Sequence, residues 1–144
     1  MIPSTELRLK TMMRALTESI LPALDPENSL AQEQAGLLMG HINALIQQQG
    51  LEYQVNEQEA EAMTDLAKQL LTIAEGGVNT VAATERLAAA VTKDNFEELS
   101  KAVERLLSVE DGSQAFKDAT WKPVLDYSRN AAARGQQWFK PMGF

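Results

Sequence analysis

The stretch SLAQEQAGLLMGHINALIQQQGL, residues 29–51, decides the fold class. Leu30, Leu37, Leu38, Ile42 and Leu45 recur at spacings of three, four and seven, the repeat of an α-helix with an apolar stripe. Ser29 with Gln32 three residues on has the form of a capping box, in which each side chain satisfies a backbone N–H at the other position. Gly50 marks the end, with Leu51 placed for the apolar contact that closes a helix. This reading predicts one helix of about five turns with no strand character.

Working outward, the same signals recur. Leu9, Met13, Leu16 and Ile20 predict a first helix from Ser4 to about Leu24, closed by Pro22 and the Asp25-Pro26 pair. Asn56 with Glu59 predicts the start of a third helix that stops at Gly76-Gly77. A shorter helix is expected over about 79–91, and another opens with Asp94 and Glu97 and ends at Asp111-Gly112. Ser113 opens a last helical region, which Pro123 is expected to kink or break into a short piece and a longer one. Twenty alanines and eleven glutamines against seven valines and five isoleucines favour helix throughout. The expected architecture is all-α: an antiparallel helical bundle of four main helices with one or two additional short helices. Residues 1–144 read as a single helical domain, with 136–144 a docking tail.

Several function classes are excluded or disfavoured by composition. The absence of cysteine removes disulfides, thiolate nucleophiles and sulfur-ligated metals. Apolar runs such as Leu37–Met39 fall far short of the roughly 18 residues a membrane span needs. Residues near the start carry Arg8, Lys10 and Arg14 without an apolar export core, so a cytoplasmic location is expected and no membrane partner. A formal net charge of −7 argues against a general nucleic-acid binder, whose affinity comes from cations on phosphates. The charge is uneven: residues 1–112 hold 8 basic and 18 acidic side chains, and residues 113–144 hold 5 and 2.

No catalytic constellation emerges. His41 is the single histidine, it falls inside the apolar stripe of residues 29–51, and its expected role is a buried structural one. The Glu-x-x-His spacing of helical di-metal sites is absent, because Leu38 stands three before His41. Glu57, Glu61 and Asp65 project away from their helix's stripe, as a solvated face does. No glycine follows a predicted strand, which leaves no phosphate loop or nucleophile elbow. No cofactor or metal is expected, and the chain reads as a non-enzyme.

Two small-residue ridges remain. Gly36 and Gly40 share one helical face, and each costs about 1 kcal/mol relative to alanine inside a helix, so close approach of another helix is expected above them. The second ridge runs through Val124, Ser128, Ala131, Ala132 and Gly135, flanked by Trp121 and Trp138. Residues 134–144, RGQQWFKPMGF, add Phe139, Met142 and Phe144 beside Arg134 and Lys140. The leading expectation is a non-catalytic protein that works through protein–protein contacts, as a homodimer or an accessory subunit. Its interface would comprise Gly36, Gly40, Ser128, Ala131, Gly135, Trp138 and Phe139, with the final helix and tail as the main surface. A second expectation is a small-ligand binder or enzyme with an interhelical pocket near His41, Trp121, Tyr127 and Trp138. A third is nucleic-acid binding through Arg129, Arg134 and Lys140 of the basic C-terminal helix.

Overall fold

The structure is a computed structural model that describes residues 2–140. It is all-α, with six α-helices among the described residues: α1 Thr5–Ala15, α2 Ser29–Gln48, α3 Glu52–Ile73, α4 Val78–Val91, α5 Phe96–Leu107 and α6 Gln114–Phe139. Met142 and Phe144 of the expected docking tail lie outside the described residues.

The first helix does reach Ala23, but not as a regular α-helix. Ser4 caps α1 by accepting from the Leu7 N–H at 3.2 Å. After Ala15 the chain widens into a π-turn, Leu16–Ile20, and tightens into a 3-10 turn, Leu21–Ala23. Pro22 supplies no N–H to the carbonyl four residues earlier, which breaks the regular ladder there.

Two caps fall beside the expected residue, and one helix begins a turn early. Asn28, not Ser29, caps α2 by accepting from the Ala31 N–H at 3.0 Å. Asn95, not Asp94, caps α5 by accepting from the Glu98 N–H at 3.0 Å. Helix α3 begins at Glu52, a full turn before Asn56, because nothing between Leu51 and Asn56 opposes helix once the chain has turned at Gly50. Gly50 has φ +80°, the left-handed conformation that ends α2 and that a residue with a Cβ adopts only under strain.

Pro123 does not break α6, which continues from Gln114 to Phe139. The carbonyl left without a donor belongs to Ala119, which is exposed and can be hydrated. Ser113 opens this helix by accepting from the Phe116 N–H at 3.0 Å.

The chain divides into two compact units, residues 1–53 with 134–144 and residues 54–133. The second unit holds a contiguous core: Met63, Leu66, Ala67 and Leu70 from α3 meet Ala83, Leu87 and Ala90 from α4. Leu99, Val103 and Leu106 from α5, with Phe116 of α6, complete it. Its helices α4 and α5 are joined by a short turn and packed side by side.

The loops before α4 and before α6 are stitched together. Gly76 and Gly112 form an antiparallel bridge, the Gly77 N–H donates to the Asp111 carbonyl at 2.9 Å, and the Ser113 N–H donates to the Glu75 carbonyl at 2.8 Å. Helix α4 has no cap from its own flank, since Gly77 precedes it. The Asp111 carboxylate takes that place, accepting from the Asn79 N–H at 2.8 Å, the Thr80 N–H at 2.9 Å and the Thr80 hydroxyl at 2.7 Å.

The first unit is differently constituted. Its buried apolar side chains among the described residues are Leu16, Ala35, Ile42 and Ala44, against eleven in the second unit's core. Gln48 is also buried, and its side-chain amide donates to the Trp138 carbonyl at 2.8 Å, tying the end of α2 to the end of α6.

Candidate functional site

Helix α2 carries the main departure from expectation. It is apolar on most of its circumference, so periodicity alone cannot say which side faces inward. The structure buries Ala35 and Ile42, with Met39 and Ile46 half-buried beside them. Four leucines to one side of these stay open, Leu30 at 65% exposed, Leu37 43%, Leu38 49% and Leu45 47%, while Ala44 and Gln48, nearer the end of the helix on that side, are buried. His41 lies on that open face and is exposed, which corrects the expectation of a buried structural histidine.

Among the described residues, no other helix of this chain lies over Gly36 or Gly40. A Cβ built on either would meet nothing within 4 Å. Gly36→Ala and Gly40→Ala are therefore sterically free within the protomer, and each should raise protomer stability by up to about 1 kcal/mol through helix propensity. Urea unfolding of the two variants checks this, and a loss of stability would place a close neighbour above the glycines.

Helix α6 distributes its candidate residues over both units. In the second unit Tyr127 and Val124 pack on the core, Trp121 is 71% exposed, and Ser128 is exposed with its hydroxyl donating to the Val124 carbonyl at 2.9 Å. Ala131 is half-buried. In the first unit Gly135 and Trp138 are half-buried, Phe139 is 49% exposed, and a Cβ on Gly135 would meet nothing within 4 Å. Of the expected pocket set, His41 and Trp138 thus belong to the first unit and Trp121 and Tyr127 to the second.

The second unit carries a groove of about 330 Å³ between α4 and α5. Its floor is Ala89, Ala90 and Ala102, and its rim holds Arg86, Lys93, Lys101 and Arg105. Lys93 pairs with Glu98 at 2.9 Å and Lys101 pairs with Glu97. The guanidinium groups of Arg86 and Arg105 have no hydrogen-bond or ion-pair partner among the described residues. A second shallow site, on α3, is lined by Glu57, Ala60, Glu61, Thr64, Asp65 and Lys68.

No group of three or more metal-ligating side chains comes together among the described residues. Among the same residues, no helix is long and apolar enough to cross a membrane.

Asp111 is the titratable group that local sequence reading missed. Its Asp-Gly pair reads as a turn, and nothing nearby in the chain announces that its carboxylate caps a helix begun more than thirty residues earlier. The Thr80 hydroxyl holds its pKa below the ordinary carboxylate value, with the N–H groups of Asn79 and Thr80 acting in the same direction against partial burial. A carboxyl whose folded pKa is lowered contributes stability that is complete above its unfolded value and lost as pH falls through the folded one. Asp111→Asn should accordingly melt below the parent protein above the ordinary aspartate pKa of about 3.9, with the gap narrowing as pH falls below it. Thermal melts across that range check it, and a gap independent of pH would show that the carboxylate's charge is not what matters.

No protein family, curated protein or solved structure matches this chain.

Proposed function

We propose that this is a non-catalytic helical protein that acts through protein–protein contacts, with a second copy of itself seated on the open face of α2. One observation carries the reading: Leu30, Leu37, Leu38 and Leu45 line one side of a regular helix and remain 43–65% exposed. Large apolar side chains gathered in the open on one helix side mark an interaction site.

Two physical arguments favour a second copy. In a two-fold contact one patch meets the same patch, so a face carrying charge of one sign would set like charges against each other. This face, completed by Gln34 and His41, contains no carboxylate and no lysine or arginine. The area is also of the right order. A stable dimer buries on the order of 800 Å² per partner, and the four leucines supply about half of that.

Leu38→Lys combined with Leu45→Lys should convert a dimer into a folded monomer, read as a halved mass by sedimentation equilibrium with unchanged helical circular dichroism. A parent protein that remains monomeric at high concentration overturns the self-contact. So does a double variant that keeps the parent's mass.

A further inference from the structure

We infer that the acidic strip of α3, Glu57–Glu61–Asp65, is the counterpart of the cation-rimmed groove between α4 and α5, and that the two meet between copies of this chain. The inference rests on the reading above that the protein self-associates, and it adds a second contact of a different physical kind.

The case begins with charge. In a chain of net charge −7, four of the thirteen basic side chains gather at one groove. The guanidinium groups of Arg86 and Arg105 have no partner among the described residues, and neither do the carboxylates of Glu57, Glu61 and Asp65 on α3. Four cations and Glu98 face outward from the groove, against three carboxylates and Lys68 from the strip. Lys93 and Lys101 are paired with Glu98 and Glu97, so it is Arg86 and Arg105 that leave the groove with uncompensated positive charge, against the unpaired carboxylates of the strip, a complementarity that steers and orients a contact.

Shape agrees with charge. The acids of the strip stand four residues apart, on one side of a helix, and span about 12 Å from Glu57 to Asp65. On the α4 side of the groove the cations are Arg86 of the helix and Lys93 of the turn that follows it. Between the charges both surfaces are small: Ala60 and Thr64 on the strip, Ala89, Ala90 and Ala102 on the floor. Small residues allow helix axes to approach within about 8–10 Å, close enough for flanking charges to reach across. An extended polyanion suits the groove less well, because Glu97 and Glu104 stand on the same helix as its α5 rim and would repel it beyond the groove.

A contact between two unlike faces either closes into a ring or pair or propagates, so its signature is added mass that disappears with salt. The test is sedimentation velocity of the full chain at low and moderate salt, with two charge-reversed proteins. One carries Arg86→Glu and Arg105→Glu; the other carries Glu57→Lys and Glu61→Lys. All four positions are exposed, so both proteins should keep the parent's circular dichroism. If a reversal unfolds the chain, glutamine at the same positions replaces it.

The parent should show association that weakens about tenfold or more between low and moderate salt. Each reversed protein alone should lose that component, since its two surfaces then carry the same sign. An equimolar mixture should regain it, because the basic strip of one then faces the acidic groove of the other while the native groove and strip also remain matched. A mixture that fails to recombine, or reversed proteins that associate like the parent, overturns the inference. The apolar α2 contact is read separately: its Leu38→Lys and Leu45→Lys protein removes the salt-insensitive mass and leaves the charge-dependent component in place.

Discussion

Leu87→Ala should lower the free energy of unfolding by about 2–5 kcal/mol, a large part of the whole stability of a domain this size. Leu87 is fully buried on α4, in a cluster with Leu70 of α3 and Leu106 of α5, which are fully buried too. Removing its branched end loses the transfer energy of the missing carbons and leaves a cavity that three converging helices cannot readily close. Denaturant unfolding monitored by circular dichroism measures the effect. The comparison that gives it meaning is Leu38→Ala on the open face of α2, where the protomer has little packing to lose. If the Leu87 and Leu38 substitutions cost the folded protomer the same, the division between a packed second unit and an underfilled first unit would be wrong.

The second large effect is expected at Gly76→Ala. A Cβ there would stand 2.6 Å from the Asp111 carbonyl oxygen, 2.8 Å from the Gly112 Cα and 2.5 Å from the Thr80 hydroxyl. Two of those atoms are backbone, so relief requires parting the loops that hold α4 and α6 in register, not turning a side chain. Overpacking of this kind costs about 1–3 kcal/mol, and here it also displaces Asp111 from the start of α4. Gly112→Ala provides the control for close approach without a backbone clash: its new Cβ would meet the Phe116 ring at 2.9 Å, and a ring edge can move. The expected order of stability is parent, Gly112→Ala, Gly76→Ala, read from urea midpoints. A Gly76→Ala protein as stable as the parent would show that the bridge between the two loops contributes nothing.

Both predictions concern the second unit, and the functional proposals show why the first unit behaves differently. A helix hairpin that buries Leu16, Ala35, Ile42 and Ala44 while leaving Leu30, Leu37, Leu38 and Leu45 open has more apolar surface than its own chain covers. Burial of that surface by a second copy would move stability from the protomer into the assembly, so the first unit's apparent stability should rise with protein concentration.

The sequence by itself determined the helical class, and it did so through local chemistry: alanine-rich composition, apolar residues at helical spacing, and Ser, Asn, Asp and Gly at the ends. Helix starts were legible to within a residue where a cap was close by, as at Asn28, Asn95 and Ser113, whereas α5, expected to run to Asp111-Gly112, ends at Leu107. The start of α3 was not, because a capping pattern at Asn56 and Glu59 looks the same whether it stands at a helix end or one turn inside. Nor was the continuity of α6 through Pro123, since the cost of a missing N–H depends on whether water reaches the abandoned carbonyl of Ala119. The Asp111 cap of α4 lay beyond local reading altogether, for the donor and acceptor are separated by more than thirty residues. Which face of α2 turns inward, and therefore where His41, Gly36 and Gly40 stand, was decided by tertiary packing alone. On a helix whose apolar residues spread over more than half of its circumference, the 3.6-residue repeat leaves the inner edge of the stripe open, and only the neighbours that arrive can fix it.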